Sequence, residues 1–295
     1  MSKINRRQAV QGALTAGGSI ALLNSCNSFP DIEIAGISSR SVMRVGKAIA
    51  KAAEDITPEQ EYYIGRAVAA NIYSRYNPYN DRVKHEYVNH IGMHLTYFLD
   101  VPETFGGYHF AILDSNEINA FAAPGGLIFI SRGMLKCCPH EDALAAVLAH
   151  EIAHVQLKHG LNAIENSRIT DAILIAGSEA ASNVGAAEYK NLVNLFDGSI
   201  SDIVSDMVEN GYSRSDEYEA DKVAVQIMSR AGYLNRGMGD MLSTMSEQLK
   251  PGGTDFFKTH PSPKNRLEEL AGSIDKSSQV PAGRTRRFRQ KIAMV

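Results

Sequence analysis

Residues 141–159 read Glu-Asp-Ala-Leu-Ala-Ala-Val-Leu-Ala-His-Glu-Ile-Ala-His-Val-Gln-Leu-Lys-His. The spacing predicts one long amphipathic helix, apolar at Leu144, Val147, Leu148, Ile152 and Val155. Within it stands His150-Glu151-Ile152-Ala153-His154. Positions i and i+4 of a helix lie one turn apart on the same face, so His150 and His154 both reach one tetrahedral zinc ion. Glu151 sits beside them and is placed to accept a proton from zinc-bound water.

A catalytic zinc wants three protein ligands and an open position, and two histidines with one glutamate is a known solution. The third ligand is found on another predicted helix, in Glu217-Tyr218-Glu219-Ala220-Asp221. Glu217 and Asp221 share one face of it, giving Glu217 as ligand. Asp221 then holds the outer ring N–H of a ligand histidine, His150 being the natural partner. Glu219 is the internal rival to Glu217, but its side chain points to the far side of the helix. No cysteine pair or fourth ligand at compact spacing suggests a structural zinc. The expected cofactor is therefore one Zn2+ per chain.

Around these helices the chain alternates several helical patterns with a few strands. Thr57-Pro58-Glu59-Gln60 is a helix start, with Thr as N-cap and Gln three residues on. A second helix is predicted from about Asp81 to Leu99. Two strand-like runs follow, Tyr108–Leu113 and Ala120–Ile130, the latter interrupted by Pro124-Gly125-Gly126. Further helices are predicted over 216–231, 236–249 and 264–271. The Gly/Ala/Ser-rich patch around Gly177–Ala187 has no clear pattern. The expected fold class is α+β, a mainly helical core with a small sheet.

Four segments in this order resemble the zinc metallopeptidases that include the HtpX-like proteases and the CAAX prenyl proteases. They are Asn119-Ala120-Phe121-Ala122-Ala123-Pro124-Gly125-Gly126, Leu148 to His154, Ser213-Arg214 before Glu217-x-x-Ala220-Asp221, and His260-Pro261 with Arg266. The resemblance runs from about Thr57 to Leu270. It is to the soluble, exported bacterial members, since no apolar run has the roughly 18–20 residues of a membrane span. It implies a gluzincin-type zincin core, with His150, His154 and Glu217 on zinc and Glu151 as general base. It also makes Asn119, Ala120, Phe121 and Ala122 the exposed edge strand, bordering the active-site helix, on which an extended peptide aligns. Such an edge offers backbone partners to a peptide of any sequence.

Composition bounds the remaining readings. Of 295 residues, 44% are hydrophobic, enough to fill a sizeable core. A formal charge of -3 gives no reason to expect nucleic acid. Residues 1–25 carry Lys3, Arg6 and Arg7 ahead of a short Ala/Gly/Leu-rich stretch, the layout of an export signal resembling the twin-arginine type. Leu23-Asn24-Ser25-Cys26 resembles a bacterial lipobox, which implies lipidation at Cys26 and a membrane tether on the periplasmic face. The resulting organisation is a signal over 1–25, a tether and N-terminal helix over 26–56, a metallopeptidase domain over 57–275, and a basic, solvated tail over 276–295. Cys137 and Cys138 are adjacent and are expected to be half-buried structural residues. His159, one turn past the motif, is expected beside a ligand or at the surface.

His260, between Thr259 and Pro261, has three readings. It caps the following helix, or it donates a hydrogen bond to the oxyanion of a tetrahedral intermediate. Or it fills zinc's fourth position at rest, as the resemblance suggests. The expected activity is zinc-dependent endopeptidase action on unfolded or misassembled cell-envelope proteins. The rival reading is an envelope assembly factor or chaperone that uses the same groove with little proteolysis.

Overall fold

The computed structural model describes residues 33–34, 37–38, 56–162, 211–248, 260–274 and 278–292. The chain divides into a short unit, Met1–Lys47, and a main unit, Ala48–Val295. In the short unit, β1 (Glu33–Ile34) and β2 (Ile37–Ser38) form an antiparallel pair. The expected signal over 1–25, Cys26, the expected N-terminal helix within 26–56 and the Gly/Ala/Ser-rich patch lie outside the described residues, residue 56 and the short strands excepted.

The main unit opens with α1 (Pro58–Arg75), whose start is the expected capping box. Thr57 Oγ1 accepts from the Gln60 N–H, and Gln60 Oε1 accepts from the Thr57 N–H. Two of the helix's orphan donors are thereby satisfied. Helix α2 (Arg82–Thr96) is capped by Asp81 and buries Tyr87, Val88, Ile91 and Leu95, a 3.6-residue stripe. The sheet follows: β3 (His109–Leu113), β4 (Ala120–Ala123) and β5 (Leu127–Ser131), in the order β3-β5-β4. The central β5 runs parallel to β3 and antiparallel to β4, so β4 is an edge of the sheet.

The two-residue period of the strands divides the core. Phe121, Ala123 and Phe129 face one way and pack with Val68, Ala69 and Ile72 of α1. Ala120, Ala122, Ile128 and Ile130 face the other way, into the main core. Gly65 lets α1 press onto the turn Pro124–Gly126, because a Cβ at that position would stand 1.9 Å from the Pro124 carbonyl oxygen. In the turn itself, Gly125 takes φ +76°, a conformation that favours glycine.

After α3 (Arg132–Lys136) comes α4 (Glu141–Gln156), the helix of the His-Glu-x-x-His motif. The sequence predicts an amphipathic helix through His159, but Glu141 through Val155 are all buried and the helix ends at Gln156. It is the central element, packed by α2, β4, α5 (Arg214–Arg230), α6 (Arg236–Gln248) and α8 (Ala282–Ile292). Its polar residues are therefore enclosed rather than solvated, and each needs a partner. His140 caps α4: its Nδ1 accepts from the Ala143 N–H at 3.2 Å, while Nε2 meets Asp240 at 3.0 Å. Helix α7 (Pro263–Glu269) starts at the cap Ser262.

Two expectations are corrected here. Much of the basic segment 276–295 is no solvated tail. It forms α8, with Phe288 and Ile292 buried in the main core. Its Arg287 Nε donates to Glu141 at 2.7 Å and Arg284 to Asp142 at 2.6 Å, so its charges are spent on the first turn of α4. Cys137 and Cys138 are fully rather than half buried, and both are free thiols.

Candidate metal centre

Helix α4 carries His150 and His154 on one face, and α5 crosses it to bring Glu217 opposite them. The N-cap of α5 is Ser213, whose hydroxyl accepts from the Asp216 N–H, so the helix starts at Arg214 and holds Glu217 in its first turn. Nε2 of His150 and Nε2 of His154 are 3.1 Å apart. Glu217 Oε2 is 3.5 Å from the first and Oε1 is 3.4 Å from the second. Ligands held by a tetrahedral zinc ion at about 2.0–2.2 Å are about 3.3–3.6 Å apart, so both glutamate separations match the ion's spacing and the histidine pair lies slightly closer. Glu217 Oε1 is buried with no hydrogen-bond partner, and the His154 ring 3.4 Å away is neutral. A buried carboxylate oxygen without a donor is costly unless a cation satisfies it. The residues fit a bound zinc.

The outer nitrogens of both histidines are also held. Nδ1 of His150 lies 2.9 Å from Asp221 Oδ1, the pairing expected from sequence. Nδ1 of His154 lies 2.9 Å from Nδ1 of His159, which is buried against it rather than at the surface. Fixing the outer nitrogen selects the tautomer that turns Nε2 inward. Glu219 is exposed and stands 3.8 Å from His159, away from the three donors.

His260 joins the group from the segment before α7. Its Nδ1 is 2.6 Å from Glu217 Oε2, and its donor atom lies within 4.8 Å of those of His150, His154 and Glu217. Glu151 is buried beside them, and burial raises its carboxyl pKa against the pull of His150 and His260. Burial also favours the neutral form of His154, lowering it to about 3. For His150, burial and Arg266 oppose the charge, but Asp221 and Glu217 outweigh them and raise it to about 9. Glu217 stays ionised despite burial, because His260, His150 and His154 surround it. A divalent ion binds an ionised carboxylate and a neutral imidazole, the states of Glu217 and His154, whereas His150 gives up a proton on binding it.

Two residues around the centre carry no assigned role in the sequence. Arg266, fully buried on α7, donates to both oxygens of Asp221, at 2.9 and 2.6 Å. The sequence shows it only as a member of a matched segment. Tyr212 stacks its ring on that of His154, with centroids 4.3 Å apart and planes 21° apart. Its hydroxyl donates to the Ala122 carbonyl at 3.4 Å. The one signal for Tyr212 is its place directly before the cap of the Glu217 helix.

The expected substrate strand is where the sequence puts it, on the sheet edge against α4. It is not exposed, however: Asn119, Ala120, Phe121 and Ala122 are 3–7% accessible. Nor do all four present their backbones outward. The Asn119 carbonyl accepts from the Ser131 N–H at 3.0 Å, so antiparallel alternation turns Phe121 toward β5 as well, leaving Ala120 and Ala122 on the outer side.

The model of peptidase family M48 matches residues 82–274, a span that holds all three donors, Glu151, Asp221 and His260. The chain belongs to peptidase family M48. This M48 member is similar to the beta-barrel assembly-enhancing protease of Escherichia coli (strain K12), 25% identical over 251 residues, which cover 84% of this chain and 47% of that protein. The protein of that name from Yersinia pestis is 24% identical over 277 residues, 92% of this chain and 52% of its own. Similarity extends to the mitochondrial metalloendopeptidase OMA1 of Saccharomyces cerevisiae (strain ATCC 204508 / S288c), 30% identical over 168 residues, 55% of this chain and 45% of that protein. The chain thus spans about half the length of these relatives. Among the described residues, no helix is long and apolar enough to cross a membrane.

Proposed function

We propose that this M48 family member is a zinc-dependent endopeptidase that cleaves extended, unfolded or misassembled polypeptides of the cell envelope. The observation that carries this reading is the convergence of His150, His154 and Glu217 at zinc-ligand spacing with Glu151 enclosed beside them. Bound by these three residues, zinc supplies Lewis acidity, acidifying a water and polarising a carbonyl. The chain's own groups do the rest. Asp221 and His159 hold the histidine rings in register. Glu151 accepts the proton of the attacking water at its carboxylate and returns it to the leaving amine. His260, the fourth donor of the buried group, closes the centre at rest.

The names of the relatives support the substrate class, since they describe proteases, one of them tied to assembly. A protein that binds unfolded envelope polypeptides without cutting them would use the same groove. The export signal and Cys26 support tethering to the periplasmic face of a bacterial membrane. Denatured envelope proteins incubated with zinc-loaded enzyme, followed by mass spectrometry, test the reading. New peptide termini are expected with wild type and are lost with a chelator or with Glu151→Gln, which keeps the metal. Equal cleavage by Glu151→Gln contradicts the mechanism, and binding without cleavage by wild type favours the assembly factor.

A further inference from the structure

The outer side of β4 carries four backbone groups, the N–H and C=O of Ala120 and of Ala122, by the alternation fixed at Asn119 and Ser131. Two of these are engaged by side chains. Asn119 Oδ1 accepts from the Ala120 N–H at 2.9 Å, and the Tyr212 hydroxyl donates to the Ala122 carbonyl at 3.4 Å. An antiparallel neighbour exchanges hydrogen bonds with both groups of one residue, whereas a parallel neighbour bonds to the carbonyl of one residue and the N–H of the residue two further on. A peptide lying antiparallel on Ala122 therefore needs the carbonyl that Tyr212 holds.

The same side chain touches both the strand and a histidine of the candidate metal centre. The Tyr212 ring lies flat on His154, and its hydroxyl reaches β4. Ala122, which it touches, is 5% accessible although β4 is a sheet edge. The contact itself is long for an O–H···O bond, so it is easily exchanged. Directly after Tyr212, Ser213 caps α5, which places Tyr212 at the start of the helix that bears Glu217.

We infer that Tyr212 is a latch on the substrate strand: its hydroxyl occupies the Ala122 carbonyl at rest, and an extended peptide binds antiparallel to β4 by replacing that hydroxyl with one of its own backbone N–H groups. The inference rests on the endopeptidase reading for its substrate class, and it makes Tyr212 a positioning residue rather than a catalytic one.

The test separates binding from turnover. Zinc-loaded Glu151→Gln protein is titrated with a fluorescein-labelled, unstructured peptide by anisotropy, with and without Tyr212→Phe. Removing the hydroxyl leaves the ring and frees the carbonyl, so Kd should fall about two- to fivefold, the range of a weak neutral hydrogen bond. In otherwise wild-type enzyme the same substitution should lower KM by a similar factor and leave kcat unchanged. A scan of singly N-methylated peptides against the unsubstituted Glu151→Gln protein should find one position at which methylation weakens binding sharply, and this arm holds even if Tyr212→Phe loses zinc or stability. An unchanged or raised Kd in a zinc-loaded Tyr212→Phe protein overturns the latch. So does a kcat lower by roughly 10²–10³ with Kd unaltered, the mark of an oxyanion donor, and so does a methylation scan with no sensitive position. Tighter binding by Tyr212→Phe with no cleavage by wild type keeps the latch and removes the endopeptidase reading. Cleavage by wild type with Kd unmoved removes the latch alone.

Discussion

Asp221 lies 2.9 Å from Nδ1 of His150 and is at the same time clasped through both oxygens by Arg266. One carboxylate therefore orients a histidine of the candidate metal centre and neutralises a buried guanidinium. Burial opposes its charge, but Arg266 and His150 hold its pKa down to about 2. Asp221→Asn keeps the shape and removes the charge. Zinc affinity should drop by about 10–100-fold in competition with a chelator, the usual cost of losing such a partner. The zinc-free protein should lose about 3–5 kcal/mol in urea unfolding, since Arg266 is left buried and uncompensated. Affinity and stability both near wild type would contradict the pairing.

His260→Ala should retain one zinc per chain, because His150, His154 and Glu217 remain. Peptidase activity should rise, since the fourth donor no longer closes the centre. Metal analysis together with initial rates on an unfolded substrate decides it. A fall in kcat of roughly 10²–10³ would instead assign His260 to the oxyanion, and no change would leave it a structural residue.

The adjacent thiols give a prediction with a defined sign. Burial raises the Cys137 pKa to about 12 and pushes that of Cys138 up as well. The folded state thus favours the protonated thiols, a contribution fully present below the ordinary thiol pKa of about 8.5 and lost as pH climbs from there toward 12. Urea midpoints should fall across that window, and Cys137→Ala should flatten the fall. With a thiol-reactive dye at pH 8, native protein should show no reactive thiol if Cys26 is lipidated and one if it is not; denaturation should release the other two.

Phe288 tests the docking of α8. It is buried and lies 6.5 Å, centroid to centroid, from Tyr87, whose hydroxyl donates to Glu141 at 2.6 Å. Phe288→Ala should cost about 3–5 kcal/mol in chemical denaturation, whereas Arg289→Ala on the same helix should stay within about 0.5 kcal/mol. Equal, small effects would restore the free tail.

What the sequence by itself determined is everything carried by near neighbours along the chain. The one-turn spacing of His150 and His154, the capping box at Thr57, the strand run broken at Pro124-Gly125-Gly126 and the shared face of Glu217 and Asp221 all follow from local periods and turn residues. Four short segments in order were enough for the family. Tertiary packing decided the rest. That α4 is enclosed on every side, that α8 spends its arginines on Glu141 and Asp142, and that Arg266 clasps Asp221 depend on elements up to 146 residues apart. Tyr212 shows the limit most clearly. Its meaning lies in touching His154 and Ala122 at once, and these are brought together only because β4 and α5 pack on the same buried helix. Local periodicity fixes which face a residue occupies, but not which distant surface will cover that face.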